Sequence, residues 1–386
     1  MSQSTVSAEA SGTLSAITQP SITPWLKPDS IRVAMVAPAY FTVPPKGYGG
    51  VESVVADLVD ALVDRGHEVT LMGAGAHGTK AQHFVSTYDE PVAGQLGEPL
   101  PEVVHAARVA AALEERDIDV VHDHTLAGPL LARGRLAPTI VTVHGPVCGA
   151  SGEYYEALQD TVRVVAIAAA QRSAAPHLPW IATVHNAIRV ETFPFRAEKD
   201  DYALFLGRFH PDKAPHLAID AARAAGVPIV LAGKCDEPLE RDYFDREVAP
   251  RLGPDTVVFG VADAVAKREL LAGARCLLFP ICWEEPFGLV MIEAMACGTP
   301  VVALRRGSVS EVVVDGRTGV VVDQPAELPD AILRAATVEA AECRRHVEDR
   351  FGVAAMAAGY EAAYRELLSS NAEPDPSEAK APKLAS

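Results

Sequence analysis

Positive charge is scarce in this 386-residue sequence: Lys and Arg number 34 against 51 Asp and Glu, a formal net charge of −17. A surface of that sign repels phosphate backbones, which excludes a general nucleic-acid binder and leaves room for a local basic site that takes a small anion. The six cysteines (Cys148, Cys235, Cys276, Cys282, Cys297 and Cys343) include no CxxC pair, so zinc and thioredoxin-type spacings are missing. In a chain this long they read as buried, reduced thiols of a cytoplasmic protein. Long apolar runs are missing too: Val164–Ala170 spans seven residues, where a membrane span needs roughly 18 or more. The expected location is the cytoplasm, free or peripheral at the inner membrane face. The first 30 residues hold seven Ser, four Thr and a single basic residue, Lys27. They lack the basic start and apolar core of a secretory signal. Residues 1–29, and residues 371–386 with their Pro, Ala, Glu and Lys, read as disordered tails.

Between the tails the composition is globular, 49% hydrophobic and 22% charged. The pattern alternates strand and helix. Ile31–Ala37 is a nearly continuous apolar run, as expected of a strand buried on both faces. In Gly49–Asp64 one helical face carries Val51, Val54, Val55, Leu58 and Leu62, while Glu52, Asp57, Asp60 and Asp64 fall largely on the other. Further strands are expected at Glu68–Met72, Ile118–His122, Thr139–Val143, Arg163–Ile167 and Trp180–Val184. The pattern restarts with strands at Tyr202–Leu206, Pro228–Ala232, Thr256–Phe259, Arg275–Phe279, Pro300–Leu304 and Gly319–Val322. Polar Val190–Asp201 separates the halves. This is α/β: two doubly wound, Rossmann-like parallel sheets facing a cleft, over residues 30–190 and 191–350, with a terminal helix at 351–370. In such sheets ligands sit outside the carboxyl ends of the strands.

Several motifs fall at those ends. Pro44–Gly50 (PPKGYGG) joins the first strand to a helix, where glycines let a ligand approach backbone and the helix N-terminus offers N–H groups to an anion; an ordinary turn is the plainer reading. GAGAHG (Gly73, Gly75, Gly78) matches a dinucleotide fingerprint, but it follows the second strand, and Thr79–Thr87 shows no helical stripe. His122-Asp123-His124 ends a strand. The two histidines point to one face and Asp123 to the other, which favours a polar cluster at the cleft mouth over a metal site. His144 also ends a strand. Arg208 and Lys213, in LFLGRFHPDK, follow the first strand of the second half, where an Arg fork and a Lys point charge suit a diphosphate. The strongest motif is EEPFGLVMIEAMACG, with Glu285 before a helix starting near Gly288 and Glu293 in its second turn. Carboxylates there accept hydrogen bonds from sugar and ribose hydroxyls, and Glu293 on so apolar a helix needs a partner.

With these motifs in this order, from about Ile31 to Leu368, the sequence resembles the GT-B glycosyltransferases of the large retaining family numbered 4. EEPFGLVMIEAMACGTPVVA is the most specific piece. YGGVESVVADLVDALVDRGHEV, FLGRFHPDKAPHLAIDAARAAGVPIVLAGK and DGRTGVVV support it. The resemblance implies a nucleotide-sugar donor held mainly by the second domain. Arg208 and Lys213 match the diphosphate-binding cations, Glu293 the ribose carboxylate, and Glu285 the carboxylate facing the donor sugar. Backbone amides around Phe287, Gly288 and Leu289 would touch sugar and phosphate. His144 matches the histidine beside the transferred sugar, and Gly49 and Gly50 the loop over the donor. The sequence departs from the family pattern at Asn186–Arg189 (NAIR), at Ala214 after the diphosphate lysine, and near Ala168.

The implied reaction is retaining hexosyl transfer from a nucleoside-diphosphate sugar, UDP by preference, to a sugar, lipid or small-molecule acceptor. Neither metal nor cofactor is expected, because fixed cations can stabilise the leaving diphosphate. The alternatives are a sugar-nucleotide epimerase or phosphorylase of the same shape, a binding protein without turnover, and an NAD dehydrogenase.

Overall fold

The computed structural model describes residues 29–47 and 49–371; almost all of both expected tails lies outside them. The first sheet contains β1 (Arg32–Val36), β2 (Glu68–Ala74), β3 (His83–Tyr88), β4 (Val120–Asp123), β5 (Thr139–Val143), β6 (Arg163–Ala166) and β7 (Trp180–Thr183). Its seven strands run parallel in the order β3-β2-β1-β4-β5-β6-β7. The second contains β8 (Ala203–Leu206), β9 (Ile229–Ala232), β10 (Thr256–Gly260), β11 (Cys276–Phe279), β12 (Val301–Leu304) and β13 (Gly319–Val322). It is parallel in the order β10-β9-β8-β11-β12-β13. Strand order reverses between β1 and β4 in one sheet and between β8 and β11 in the other. Each reversal opens a crevice at the strands' carboxyl ends. The glycine loop leaves β1, Arg208 leaves β8 and the Glu285 loop leaves β11, so the motifs converge on the two crevices.

β3 was not expected. Its segment HFVSTY is an edge strand, largely exposed, with neither a continuous apolar run nor a helical stripe. It is the next element after GAGAHG, so that glycine run opens no helix. Two carboxylates of the first helix (Gly50–Asp64) are buried rather than exposed, Glu52 at 4% and Asp60 at 9%. Asp60 is drawn in by Arg189 and by the Lys80 backbone N–H at 2.5 Å. Among the described residues Glu52 has no ion-pair partner, and burial pushes its carboxyl up to about 7. The cysteines are all free, but Cys148 and Cys282 are exposed, against expectation.

The terminal helix, Val353–Asn371, begins after Phe351, whose ring is buried in the second domain's core beside Phe287. One to three turns later Met356, Tyr360 and Tyr364 are buried in the core of the first domain. Tyr364 Oη lies 2.7 Å from His122 Nδ1, and Thr142 Oγ1 lies 2.7 Å from His122 Nε2 and 2.9 Å from Tyr360 Oη. His122 is thus a buried tie between β4 and the terminal helix, not a group at the cleft mouth. Replacing Tyr364 by Phe leaves His122 Nδ1 without its partner. The expected cost is about 1–3 kcal/mol, read as a lowered thermal midpoint; an unchanged midpoint would show that the tie carries no stability.

Candidate active site

A cleft of about 1520 Å³ lies between the domains. Its first-domain wall includes Gly49, Gly50, Ser53 and Asp57, and its second-domain wall Arg208, Lys267, Leu289 and Glu293. Of the site residues expected from sequence, Gly49, Gly50, Arg208, Leu289 and Glu293 line this cavity. Lys213, Glu285, Phe287, Gly288 and His144 are not among its lining residues.

Each wall has a local cause. Gly49 has φ 145°, and a Cβ there would fall 2.8 Å from Pro45 Cβ. A Cβ on Gly50 would come within 3.4 Å of Leu289 Cδ1. Leu289, the first residue of the helix Leu289–Ala296, packs against both cores. Gly288, with φ 77°, caps that helix; a Cβ would fall 2.8 Å from Met291 Cε and 3.0 Å from Phe279 Cζ. The Phe287 side chain is buried, and its carbonyl accepts from Ser308 Oγ at 2.8 Å. Only backbone of this turn is left to serve a ligand.

The charges are arranged in opposite pairs. Glu293 Oε1 takes Lys267 Nζ at 2.6 Å, which supplies the partner its apolar helix demands. Lys213 Nζ is hydrogen-bonded to Glu285 Oε2, and the same oxygen accepts Trp283 Nε1–H at 3.0 Å. The Lys213 ammonium also stands 5.0 Å from the centroid of the Trp283 ring. Arg208 and Lys213, read together as a diphosphate pair, each have a different carboxylate for a neighbour. Arg208 Nη1 lies 3.4 Å from Glu240 Oε1. Glu240 is fully buried, and its other oxygen accepts the Asp236 and Glu237 backbone N–H groups at 2.9 and 3.2 Å.

Lys267, Trp283, Glu240 and Gly233 escaped the sequence reading. Lys267 and Glu240 sit on helices with ordinary polar faces, and their roles arise from tertiary approach. Gly233, after β9, carried a weak signal as a glycine at a strand's carboxyl end. It has φ 158°, and a Cβ there would stand 1.7 Å from Gly207 O. His144, half-buried just past β5, has Nε2 2.8 Å from His124 Nδ1. Among the described residues no three His, Cys, Asp or Glu side chains converge as a metal set. Asp123 points away from the two histidines, and its Oδ1 accepts Thr125 N–H and Oγ1–H at 2.9 and 2.7 Å.

Two family models match this chain: Glycosyltransferase Family 4 over residues 48–164, and Glycosyl transferases group 1 over residues 190–348. An alpha-maltose-1-phosphate synthase of Mycobacterium tuberculosis is 31% identical over 345 residues, 77% of this chain and 86% of that protein. The chain belongs to glycosyltransferase family 4. A phosphatidyl-myo-inositol mannosyltransferase of Mycolicibacterium smegmatis is 29% identical over 324 residues, 75% of this chain and 80% of that protein. The crystal structure of AviGT4, a glycosyltransferase involved in avilamycin A biosynthesis, matches 88% of this chain and 98% of its own with TM-score 0.68 and 27% identity. The two facing parallel sheets are the GT-B fold of this family, and the protein is a glycosyltransferase. No helix among the described residues is long and apolar enough to cross a membrane.

The clash at Gly233 predicts that Gly233→Ala displaces the β8 and β9 turns that carry Arg208. Thermal stability should fall. Gly94→Ala, where a Cβ meets nothing within 4 Å, should change stability by no more than about 0.5 kcal/mol. Equal behaviour of the two variants in a melt would remove the argument.

Proposed function

We propose that this glycosyltransferase moves a hexose from a nucleoside-diphosphate sugar, UDP by preference, to an acceptor held against the first domain, with retention and without a metal. The observation that carries the reading is the second-domain wall. There Arg208 and the Lys267–Glu293 pair face one cleft at the switch point of β8 and β11, with Lys213 and Glu285 paired beside them. Glu293 accepts ribose hydroxyls, Arg208 and Lys213 take the diphosphate, and Glu285 accepts hydroxyls of the transferred sugar. The mannosyltransferase and the maltose-1-phosphate synthase among the relatives support hexose transfer, and the former makes a lipid acceptor a class to test.

In the proposed mechanism the bond from the anomeric carbon to the diphosphate oxygen breaks. Arg208, Lys213 and the N–H groups at the start of Leu289–Ala296 take up the developing negative charge. The acceptor hydroxyl attacks from the same face, and its proton passes to the leaving diphosphate oxygen. His144 and the glycine loop hold the sugar. Domain closure excludes water that would otherwise compete.

A thermal-shift panel of UDP, GDP and ADP tests the donor class. At one hundred times the dissociation constant a bound nucleotide stabilises by about 2.7 kcal/mol, and no response to any of the three would defeat the reading. Release of nucleoside diphosphate only when an acceptor is present separates transfer from epimerisation and from binding alone.

The two glutamates should behave differently. Glu293→Gln should weaken the free nucleoside diphosphate. Glu285→Gln removes the carboxylate that competes for Lys213, so free diphosphate should bind as well as before or better. Turnover of the intact donor should nevertheless fall on the order of 10²-fold. Calorimetry with the free diphosphate beside initial rates checks both, and loss of diphosphate affinity in Glu285→Gln would refute the assignment. Turnover should also persist in saturating EDTA; activity abolished by chelation and restored by a divalent ion would disprove metal independence.

A further inference from the structure

At the carboxyl ends of two neighbouring strands stand three histidines, His122 and His124 buried at the end of β4 and His144 half-buried just past β5. His122 is closed off by Tyr364 and Thr142. His124 has a different pair of neighbours: its Nδ1 faces His144 Nε2 at 2.8 Å, and its Nε2 faces Met35 Sδ at 3.2 Å. The His124 and His144 rings lie 5.1 Å apart at 29°. Burial keeps all three neutral. It depresses His122 to about 3 and His144 to about 4, and holds His124 well below the usual imidazole range with help from both neighbouring histidines.

A neutral imidazole carries one N–H and one bare nitrogen, and the bond made by one nitrogen decides the state of the other. A thioether sulfur has no proton and can only accept. The proton of His124 therefore belongs on Nε2, pointed at Met35, which leaves its Nδ1 bare. A bare Nδ1 at 2.8 Å from His144 Nε2 requires that His144 carry its proton on Nε2. The ring proton of His144 is then spent on His124, and its Nδ1 keeps a free lone pair. The opposite assignment sets the His124 Nε2 lone pair against the Met35 sulfur lone pairs and strands a buried acceptor without a donor.

We propose that Met35 and His124 lock His144 in its Nε2–H tautomer, so that His144 meets the transferred sugar through Nδ1 as a hydrogen-bond acceptor, gripping a hydroxyl by its proton. The sugar contact rests on the function proposed above; the tautomer rests on the geometry of Met35, His124 and His144 alone. His124 and Met35 are positioning residues. Neither touches substrate, and neither changes protonation during transfer.

The test is a long-range proton–nitrogen spectrum of the full chain, labelled with ¹⁵N-histidine at neutral pH and assigned with His144→Ala and His124→Gln. His124 and His144 should each show one protonated Nε2 and one bare Nδ1. A protonated Nδ1 on either ring, or an averaged pair of tautomers in the unsubstituted protein, would overturn the proposal. Met35→Leu, close in volume, removes the acceptor and should convert both sharp patterns into tautomer mixtures. Retention of the single Nε2–H pattern in that variant would refute the part given to the sulfur. His124→Gln keeps an acceptor oxygen for His144 and should preserve the His144 pattern, whereas His124→Leu should lose it. With the donor identified by the nucleotide panel, His144→Ala should lower its turnover. Unchanged turnover beside an intact Nε2–H tautomer would sink the sugar contact while leaving the assignment standing.

Discussion

The site depends on the seam that holds two independently wound sheets at a fixed separation. Neither crevice is a catalytic site alone. The chain crosses the seam twice, at Ile188–Arg189 and at Phe351–Gly352, and the crossings are bonded to each other, Ile188 N–H to Phe351 O at 3.0 Å. Arg189 then grips Asp57 and Asp60 on the first helix, close behind the glycine loop. On the opposite rim Glu311 of the second domain receives Ala169 and Ala170 N–H at 2.8 and 3.2 Å and pairs with His185. The first contact is backbone and rigid. The ionic ones rest on mostly buried carboxylates, Asp60 at 12% and Glu311 at 18% side-chain exposure, so removing one partner of either is costly.

Much of this was legible in the sequence because parallel strands buried on both faces leave continuous apolar runs. Twelve of the thirteen strands were expected from apolar runs, including the exposed edge strand β10, and the strand that escaped, β3, is an edge strand whose sequence HFVSTY has no such run. The placement of Arg208 and the glycine loop at strand ends, and of Glu293 inside the helix Leu289–Ala296, was equally readable, since local order fixes it. The pairings were not. Lys267 reaches Glu293 across 26 residues and Lys213 reaches Glu285 across 72. Nothing in a linear pattern tells a buried carboxylate such as Glu240 from a solvated one. His122 was misplaced for the same reason: its position at a strand end was visible, but the terminal helix that covers it comes 242 residues later.

The histidine row and the carboxylate–cation pairs obey one rule. A polar group taken out of water must be given a partner, and the choice of partner fixes its state. In the first domain the partners are neutral, and what they fix is which ring nitrogen carries the proton. In the second they are ionic, and what they fix is where positive charge waits. A net charge of −17 favours cations in the cleft but does not fix where they stand. Commitment to Glu285, Glu293 and Glu240 keeps them in place without a ligand.

On the proposed function, that commitment has a kinetic consequence. A diphosphate that takes Lys213 must draw it from Glu285, and a carboxylate stripped of its partner at 11% side-chain exposure is costly. The intact donor offsets the cost, because its sugar hydroxyls satisfy Glu285 while its phosphates satisfy Lys213. The spent nucleoside diphosphate has phosphates but no sugar, so Glu285 is left competing for Lys213. The ion pair thus favours the intact donor over the product by the difference between a satisfied and an abandoned carboxylate. Product is weakened without any contact made specifically against it, and release is favoured as soon as the sugar has gone.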